Sequence, residues 1–206
     1  YGPPGTTEIL SHLIAACDIP QATGYGVPGQ TLPHPRDFIV SRDIQPGDVF
    51  DIDGTRISCC ENTHYRTETE LGTKGPISLS LRFDAPDRSI VYTGDTGPCR
   101  MVENLAKGAQ LLVCEMMLAE QIIAQLQEKN PHMTSQRIAM MGQHLHSHHL
   151  SPEQLGDLAA RAGVAHVVAV HIPLDSITPE TAPDFTARIS QVFSGQVSIA
   201  NDLDQF

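Results

Sequence analysis

The chain contains 206 residues, of which 40% are hydrophobic and 18% are charged. This length and composition suit one hydrophobic core and exclude wholesale disorder. The lack of a run of about 18 apolar residues excludes a membrane-spanning helix. Lys and Arg number 13 and Asp and Glu number 24, so the net charge is −11. Because a negative surface repels phosphate backbones, this charge disfavours a nucleic-acid partner.

Cysteine usage gives an expectation about the compartment. Five Cys are present, and two of them are adjacent at Cys59 and Cys60. An odd count with this spacing is not typical of a secreted disulfide framework, so it favours a cytoplasmic protein. Residue 1 is Tyr rather than Met, and we therefore expect a further segment before it.

The first 36 residues predict one helix and an irregular segment after it. Apolar residues recur at helical spacing over 7–17, whereas Pro and Gly are frequent over 18–36, which is typical of a loop or flap. We expect 1–206 to form one domain that is incomplete at its N-terminus. Residues 18–36 are its flap and are expected to border the substrate pocket.

The middle of the chain predicts β-structure. Short strands are predicted at 38–40, 55–60, 77–83 and 89–92, and Asp53-Gly54 is typical of a tight hairpin turn. Helices and strands then alternate. Helices are predicted at 100–107, at 118–128, from Ser151 and from Thr178, and strands at 109–114, 166–170 and 197–200. Strands followed by α/β alternation predict an α/β fold with two sheets and outer helices, an αββα four-layer sandwich.

Four polar side chains share one place in this pattern. His64, Asp95 and His171 each follow a predicted strand, and His149 lies just before the helix that Ser151 begins. Because sites in layered α/β folds collect at the carboxyl ends of strands, these groups are expected to converge. Imidazole and carboxylate suit zinc, manganese or iron, and one carboxylate can bridge two metal ions.

Each of these residues also has a structural interpretation. A His at a strand end is often only a polar terminus, and Thr-Gly-Asp-Thr at 93–96 is compatible with a plain turn. His144, His146 and His148 lie close to His149, so the whole run is compatible with a polar loop. Glu115 ends a predicted strand, where it could support a site residue or form a salt bridge.

Four sequence blocks in one order resemble the metallo-β-lactamase superfamily, most closely its ribonuclease Z-like branch. They are Glu-Asn-Thr-His-Tyr at 61–65, Tyr-Thr-Gly-Asp-Thr-Gly-Pro at 92–98, His-His-Leu-Ser-Pro-Glu-Gln at 148–154 and Val-His-Ile-Pro at 170–173. The opening Tyr-Gly-Pro-Pro-Gly-Thr at 1–6 is similar to a Gly-Pro-Pro-Gly-Thr stretch of the same branch. The resemblance covers nearly the whole chain.

The resemblance implies roles for the four polar residues. His64 is expected to bind a first metal ion, His171 a second, and Asp95 to bridge them, with two zinc ions as the expected cofactor and manganese or iron as alternatives. His149 and Asp95 are the expected catalytic residues, and His149 supports the leaving group or the developing charge. The His-x-His-x-Asp-His hallmark of the superfamily is absent from this chain. We therefore expect the C-terminal portion of the fold, without its N-terminal strands and four metal-binding side chains.

The favoured function is a zinc-dependent hydrolase that cleaves a small ester-like substrate with a metal-bound hydroxide. The alternative is a truncated, non-catalytic subunit of the same fold that serves binding or assembly. A transfer RNA-processing endonuclease is a weaker alternative, because the net charge is −11 and the stretch from His64 to Asp95 leaves little room for an RNA-gripping arm. We further expect a homo-oligomer and no membrane association.

Overall fold

The computed structural model describes residues 1–172 and 181–206. By its internal contacts the chain divides into two compact units, Tyr1–Gln45 and Pro46–Phe206. Each unit is described by itself, and a single domain over 1–206 stays a prediction.

The first unit is mainly helical. Helix α1 spans Thr6–Ala16 and helix α2 spans Asp18–Ala22, so the helix predicted at 7–17 is confirmed and the predicted flap contains a short helix. The Asp43 carboxylate accepts hydrogen bonds from the backbone N–H groups of Gly5 and Thr7. It thereby satisfies donors that the first turn of a helix leaves without partners.

The strand predicted at 38–40 is wrong. These residues follow a single 3₁₀ turn, Pro35–Asp37, and form no strand. Val40 is 92% exposed and Phe38 is 65% exposed. The apolar run has no neighbouring strand to pair with, and pairing rather than composition stabilises a strand.

The second unit contains one sheet of seven strands in sequence order. The strands are β1 (Val49–Ile52), β2 (Thr55–Glu61), β3 (Leu79–Asp84), β4 (Ser89–Tyr92), β5 (Leu111–Glu115), β6 (His166–Val170) and β7 (Gln196–Ile199). Strands β1 to β4 pair antiparallel, whereas β4 to β7 pair parallel. As a result β2, β4, β5 and β6 all end at the same edge of the sheet.

Five helices belong to this unit within the described residues. They are α3 (Arg100–Leu105), α4 (Ala119–Lys129), α5 (Ser135–His148), α6 (Pro152–Ala162) and α7 (Ala182–Ile189). Helices α3, α6 and α7 bury apolar side chains against one face of the sheet, and this forms the main core. The predicted helix start at Ser151 is confirmed, because its hydroxyl accepts from Gln154 N and the Gln154 side chain accepts from Ser151 N.

Helix α5 was not predicted. Thr134 caps its start by accepting a hydrogen bond from Arg137 N. His144, His146 and His148 lie on this helix, so the interpretation of the run as a polar loop is wrong. The predicted start of the last helix at Thr178 lies outside the described residues, and helix α7 begins at Ala182.

The α/β class is confirmed. All seven strands of the described residues belong to one sheet, and strands precede the α/β alternation as predicted. In 1–172 and 181–206 no helix combines the length and apolar character that crossing a membrane requires.

Candidate metal centre

The carboxyl edge of the sheet brings the predicted site residues together. One ligand atom each of His64, Asp95 and His149 lies within 4.8 Å of the others. His171 reaches the same place, with its Nε2 atom 3.4 Å from Asp95 Oδ2. His64 follows β2, Asp95 follows β4, His171 follows β6, and His149 lies directly after α5.

A buried polar network holds His64 in place. Its backbone N–H donates to the Asn62 side-chain carbonyl at 3.2 Å. The Asn62 amide donates in turn to the Thr93 carbonyl at 2.9 Å and to the Ser80 hydroxyl at 3.2 Å. These groups are almost completely buried, so the network joins the ends of β2 and β4, where His64 and Asp95 stand.

Asp95 lies in a turn that contains glycines, and these glycines allow the turn to come close to neighbouring segments. Gly94 has φ +60°, a left-handed conformation that favours glycine. A Cβ atom on Gly97 would overlap the backbone oxygen of Ser147 near the end of α5. Glycine at position 97 therefore lets the Asp95 turn reach the segment that carries His149.

His149 and Glu115 form a buried pair. His149 Nδ1 lies 3.0 and 3.1 Å from the two Glu115 carboxylate oxygens, and the carboxylate also accepts from Thr96 N at 2.9 Å. His149 is 7% exposed and Glu115 is 1% exposed. Burial alone lowers the pKa of His149, but the hydrogen bond and negative charge of Glu115 outweigh it and the pKa is raised. Burial raises the pKa of Glu115, although the hydrogen bond from His149 acts in the opposite direction.

Sequence reasoning left the role of Glu115 open between support of a site residue and a salt bridge. The structure shows which way its side chain faces. Glu115 reaches His149 at the carboxyl edge of the sheet, whereas Cys114 is fully buried on the side of the helices. Residues next to each other in a strand point to opposite faces, so the thiol does not disturb the carboxylate.

Two further histidines lie beside the site. His148 Nδ1 donates to the Thr63 carbonyl at 2.7 Å, which ties the end of α5 to the segment of His64. The His144 ring centroid lies 5.9 Å from that of His149 and 6.5 Å from that of His64. Burial, followed by the neighbouring histidines, lowers the pKa of His144. The helical spacing of positions 144 and 148 is the signal that could have indicated their common face.

The backbone of His171 is unusual. Its φ is +53°, in the left-handed region that only a few per cent of non-glycine residues adopt, Asn, Asp and His more often than the others. Its side chain is 61% exposed, so burial does not impose this conformation. Local strain of this kind clusters at functional sites, where it fixes the direction of a side chain.

The donor set fits a divalent metal ion. His64 Nδ1 is buried and has no hydrogen-bond partner, which is costly for a polar atom unless a ligand satisfies it. Imidazole nitrogens and a carboxylate oxygen within reach of one another are the chemistry that zinc binds. His149 Nδ1 faces Glu115, so Nε2 is the ring nitrogen of His149 that can face the site.

Comparison with known proteins identifies the family of the chain. Residues 1–172 match the family described as the Beta-lactamase superfamily domain. Ribonuclease Z of Mycobacterium sp. (strain KMS) is 29% identical over 205 residues, which are 98% of this chain and 63% of that protein. Ribonuclease Z of Mycobacterium tuberculosis (strain H37Rv) is 27% identical over 207 residues, 98% of this chain and 66% of that protein. The chain thus spans less than two thirds of the length of these relatives, 63% and 66%.

Solved structures share the fold at low sequence identity. Zn²⁺-bound PqqB from Methylobacterium extorquens gives a TM-score of 0.57 at 13% identity and covers 100% of this chain and 64% of its own. The metallo-β-lactamase fold protein YhfI from Bacillus subtilis gives 0.53 at 17% identity and covers 78% of this chain and 52% of its own.

The chain belongs to the metallo-β-lactamase superfamily of metal-dependent hydrolases, whose divalent ions are typically zinc. The curated relatives reported above are named ribonuclease Z, so the chain is similar to the ribonuclease Z-like branch of that superfamily.

The expected partners need a correction. We expected a small ester-like substrate and no nucleic-acid partner. This expectation is wrong, because the curated relatives that align with 98% of the chain are named for ribonuclease activity. The expectation rested on the net charge of −11, which sums the whole surface. A bound metal ion is often the largest local charge in a site and reverses the local sign.

Proposed function

We propose that this chain belongs to a zinc-dependent hydrolase that cleaves phosphodiester bonds in RNA. The observation that carries the proposal is the position of the buried His149–Glu115 pair next to His64 and Asp95. The ribonuclease Z relatives support RNA as the substrate class, because the aligned segment includes every residue of this site.

In this proposal His64, Asp95 and His171 hold the metal. Asp95 is the residue that both imidazoles approach, since its carboxylate lies near a ligand atom of His64 and 3.4 Å from His171 Nε2. When bound, zinc lowers the pKa of water and stabilises negative charge on a phosphoryl oxygen.

His149 acts as the proton donor to the leaving oxygen. Its Nδ1 atom faces Glu115, so Nε2 is the nitrogen left to meet the substrate. The raised pKa of His149 makes the protonated imidazole more available at neutral pH. Glu115 fixes the orientation of the ring and stabilises its positive charge, as an oriented carboxylate does in other acid–base pairs.

The experiment uses the longest native protein that contains this chain. Bound zinc is counted by elemental analysis, and cleavage is followed on a transfer RNA precursor and on an unstructured RNA. We expect about one or more zinc ions per chain and metal-dependent cleavage of at least one RNA. Zinc-loaded protein that cleaves neither RNA would overturn the proposal.

Two variants separate the roles of the site residues. Asp95→Ala should lose zinc and activity together, whereas His149→Ala should keep zinc and lose turnover. If His149→Ala loses zinc as well, His149 is a metal ligand and its assignment as proton donor is wrong. His146→Ala serves as the matched control, because His146 lies on α5 with an exposed side chain beside Glu120.

A further inference from the structure

An exposed aromatic ring stands directly beside the candidate metal centre. Tyr65 follows His64 in the chain, and the centroids of the two rings lie 4.6 Å apart at an interplanar angle of 54°. Tyr65 is nevertheless 55% exposed. More than half of this large residue is therefore exposed to water, next to a residue that, on the proposed function, binds the catalytic metal.

The backbone on the other side of Tyr65 is firmly anchored. Arg66 is 7% exposed and its Nε atom lies 3.3 Å from the Glu61 carboxylate, which is also buried. The Arg66 guanidinium donates further to the Thr73 hydroxyl at 3.1 Å and to the carbonyls of Thr73 and Pro76. Glu61 accepts from Gly72 N at 2.8 Å. These bonds close residues 66–76 into a fixed loop.

Tyr65 thus lies between a site histidine, whose ring it contacts, and a buried, hydrogen-bonded arginine, while much of the residue stays open to solvent. Tyr has only two side-chain torsions, so it loses little conformational entropy when a ligand packs on it. An anchored, exposed aromatic side chain is what single-stranded nucleic acid uses as a stacking platform, since every base has a flat π-face.

We propose that Tyr65 stacks on a base of the RNA substrate next to the cleaved phosphodiester bond and so positions the strand across the metal centre. This inference rests on the proposed function. Tyr65 is a substrate-binding residue in it, because its ring touches a base and none of the reacting atoms.

The test compares Tyr65→Leu and Tyr65→Phe in the longest native protein that contains this chain. Removal of one stacked base costs between about 5-fold and 150-fold in affinity, so KM for RNA should rise by that factor in Tyr65→Leu. Because stacking is equal in the ground state and the transition state, kcat should stay unchanged. Tyr65→Phe keeps the ring and should behave as the unaltered protein.

A substrate change identifies the stacked base. Abasic nucleotides are placed one at a time around the cleavage site, and KM is measured for the unaltered protein and for Tyr65→Leu. At the position of the stacked base the two proteins should have equal KM, because the abasic site removes the same contact as the variant. Phe206→Leu is the control, since Phe206 is 46% exposed and lies beside His166 at the start of β6.

The outcomes are distinguishable from those of the proposed function. If the unaltered, zinc-loaded protein cleaves no RNA, the proposed function fails and Tyr65 stacking fails with it. If it cleaves RNA but Tyr65→Leu leaves KM unchanged, only the Tyr65 inference is overturned. A loss of zinc or a fall in kcat in Tyr65→Leu also overturns it, because Tyr65 would then act through His64.

Discussion

The two edges of the seven-stranded sheet carry the same residue type in different surroundings. At the edge where the parallel strands begin, His166 opens β6 and hydrogen-bonds through Nε2 to the Ser198 hydroxyl at 2.9 Å. At the edge where they end, His149 faces the Glu115 carboxylate and His171 faces Asp95. One edge gives its histidine a neutral partner, and the other gives two histidines charged partners.

For His149 this difference reverses the direction in which the pKa moves. Burial lowers the pKa of His166, where no charged group compensates. Burial also acts against the charged form of His149, but Glu115 raises the pKa of that residue overall. Burial of an imidazole therefore says little about function by itself. Burial of an imidazole whose ring faces a carboxylate, as in His149, is a better sign of a functional site.

The largest expected effect is the loss of Asp95, the carboxylate shared by the imidazoles of the site. Asp95→Ala removes the negative ligand, so bound zinc should fall and kcat/KM for RNA should decrease by about 1000-fold or more. Elemental analysis and initial rates at saturating zinc check both quantities. Full activity with normal zinc content would show that the carboxyl edge is not the metal centre.

The second effect concerns His149. His149→Ala should lower kcat by about 100-fold to 10,000-fold, the range for a general acid, while zinc content stays unchanged. The measurement is kcat for RNA cleavage beside elemental analysis. A kcat within about 3-fold of the unaltered value contradicts the role of proton donor, because the loss of a general acid lowers kcat by at least about 100-fold.

The third effect tests how closely the elements of the site edge must approach. Gly97→Ala places a Cβ against the backbone of Ser147, and overpacking of this kind costs about 1–3 kcal/mol in free energy of unfolding. Displacement of the Asp95 turn by about 1 Å should lower kcat/KM by about 100-fold. Urea denaturation and initial rates measure the two effects.

Gly142→Ala is the matched control for Gly97→Ala. Gly142 lies inside α5, and a Cβ there meets only the flexible end of Ile123. Alanine also has a helix propensity better than glycine by about 1 kcal/mol, so stability should hold or rise. Equal losses in both variants would mean that the close approach at Gly97 has no special role.

The fourth effect concerns the partner of His149. Glu115→Gln keeps the size of the side chain and removes its charge, so kcat should fall by about 10-fold to 100-fold while zinc content is retained, as for other orienting groups. Glu103→Gln is the control, because Glu103 pairs with Arg161 at 2.7 Å on the surface of the unit. Equal effects of the two substitutions would remove the distinction between the buried carboxylate that faces His149 and a carboxylate that is paired with an arginine.

Much of this edge was predictable from local patterns. Strand ends followed by His64, Asp95 and His171 could be recognised because alternation and apolar runs mark strands, and parallel strands end together. The pairing of His149 with Glu115 was not predictable, because 34 residues separate them and no local period encodes the contact. The expected class of substrate was wrong because the net charge of the chain does not say where on the surface the charges lie.

The pattern of apolar residues failed in two opposite ways: it missed helix α5, and it predicted a strand at 38–40 that does not form. Polar and small residues break the apolar stripe of α5, yet Thr134 caps it and its end is bonded to Thr63 through His148. Residues 38–40 have strand-like composition, yet no neighbour pairs with them. In both segments tertiary contacts determine the secondary structure, and these contacts cannot be read from a single sequence.

The smallest expected effect is at the opposite edge, where the comparison predicts no role in catalysis. His166→Ala removes a hydrogen bond between neutral groups, so the free energy of unfolding should fall by about 0.5–1.5 kcal/mol and kcat/KM should not change. Ser198→Ala should cost a similar amount, and the double variant should cost less than the sum because both remove one bond. Urea denaturation measures these values. A fall in activity with His166→Ala would mean that the two edges are coupled, and the partner of a histidine would then no longer be enough to separate a structural from a functional one.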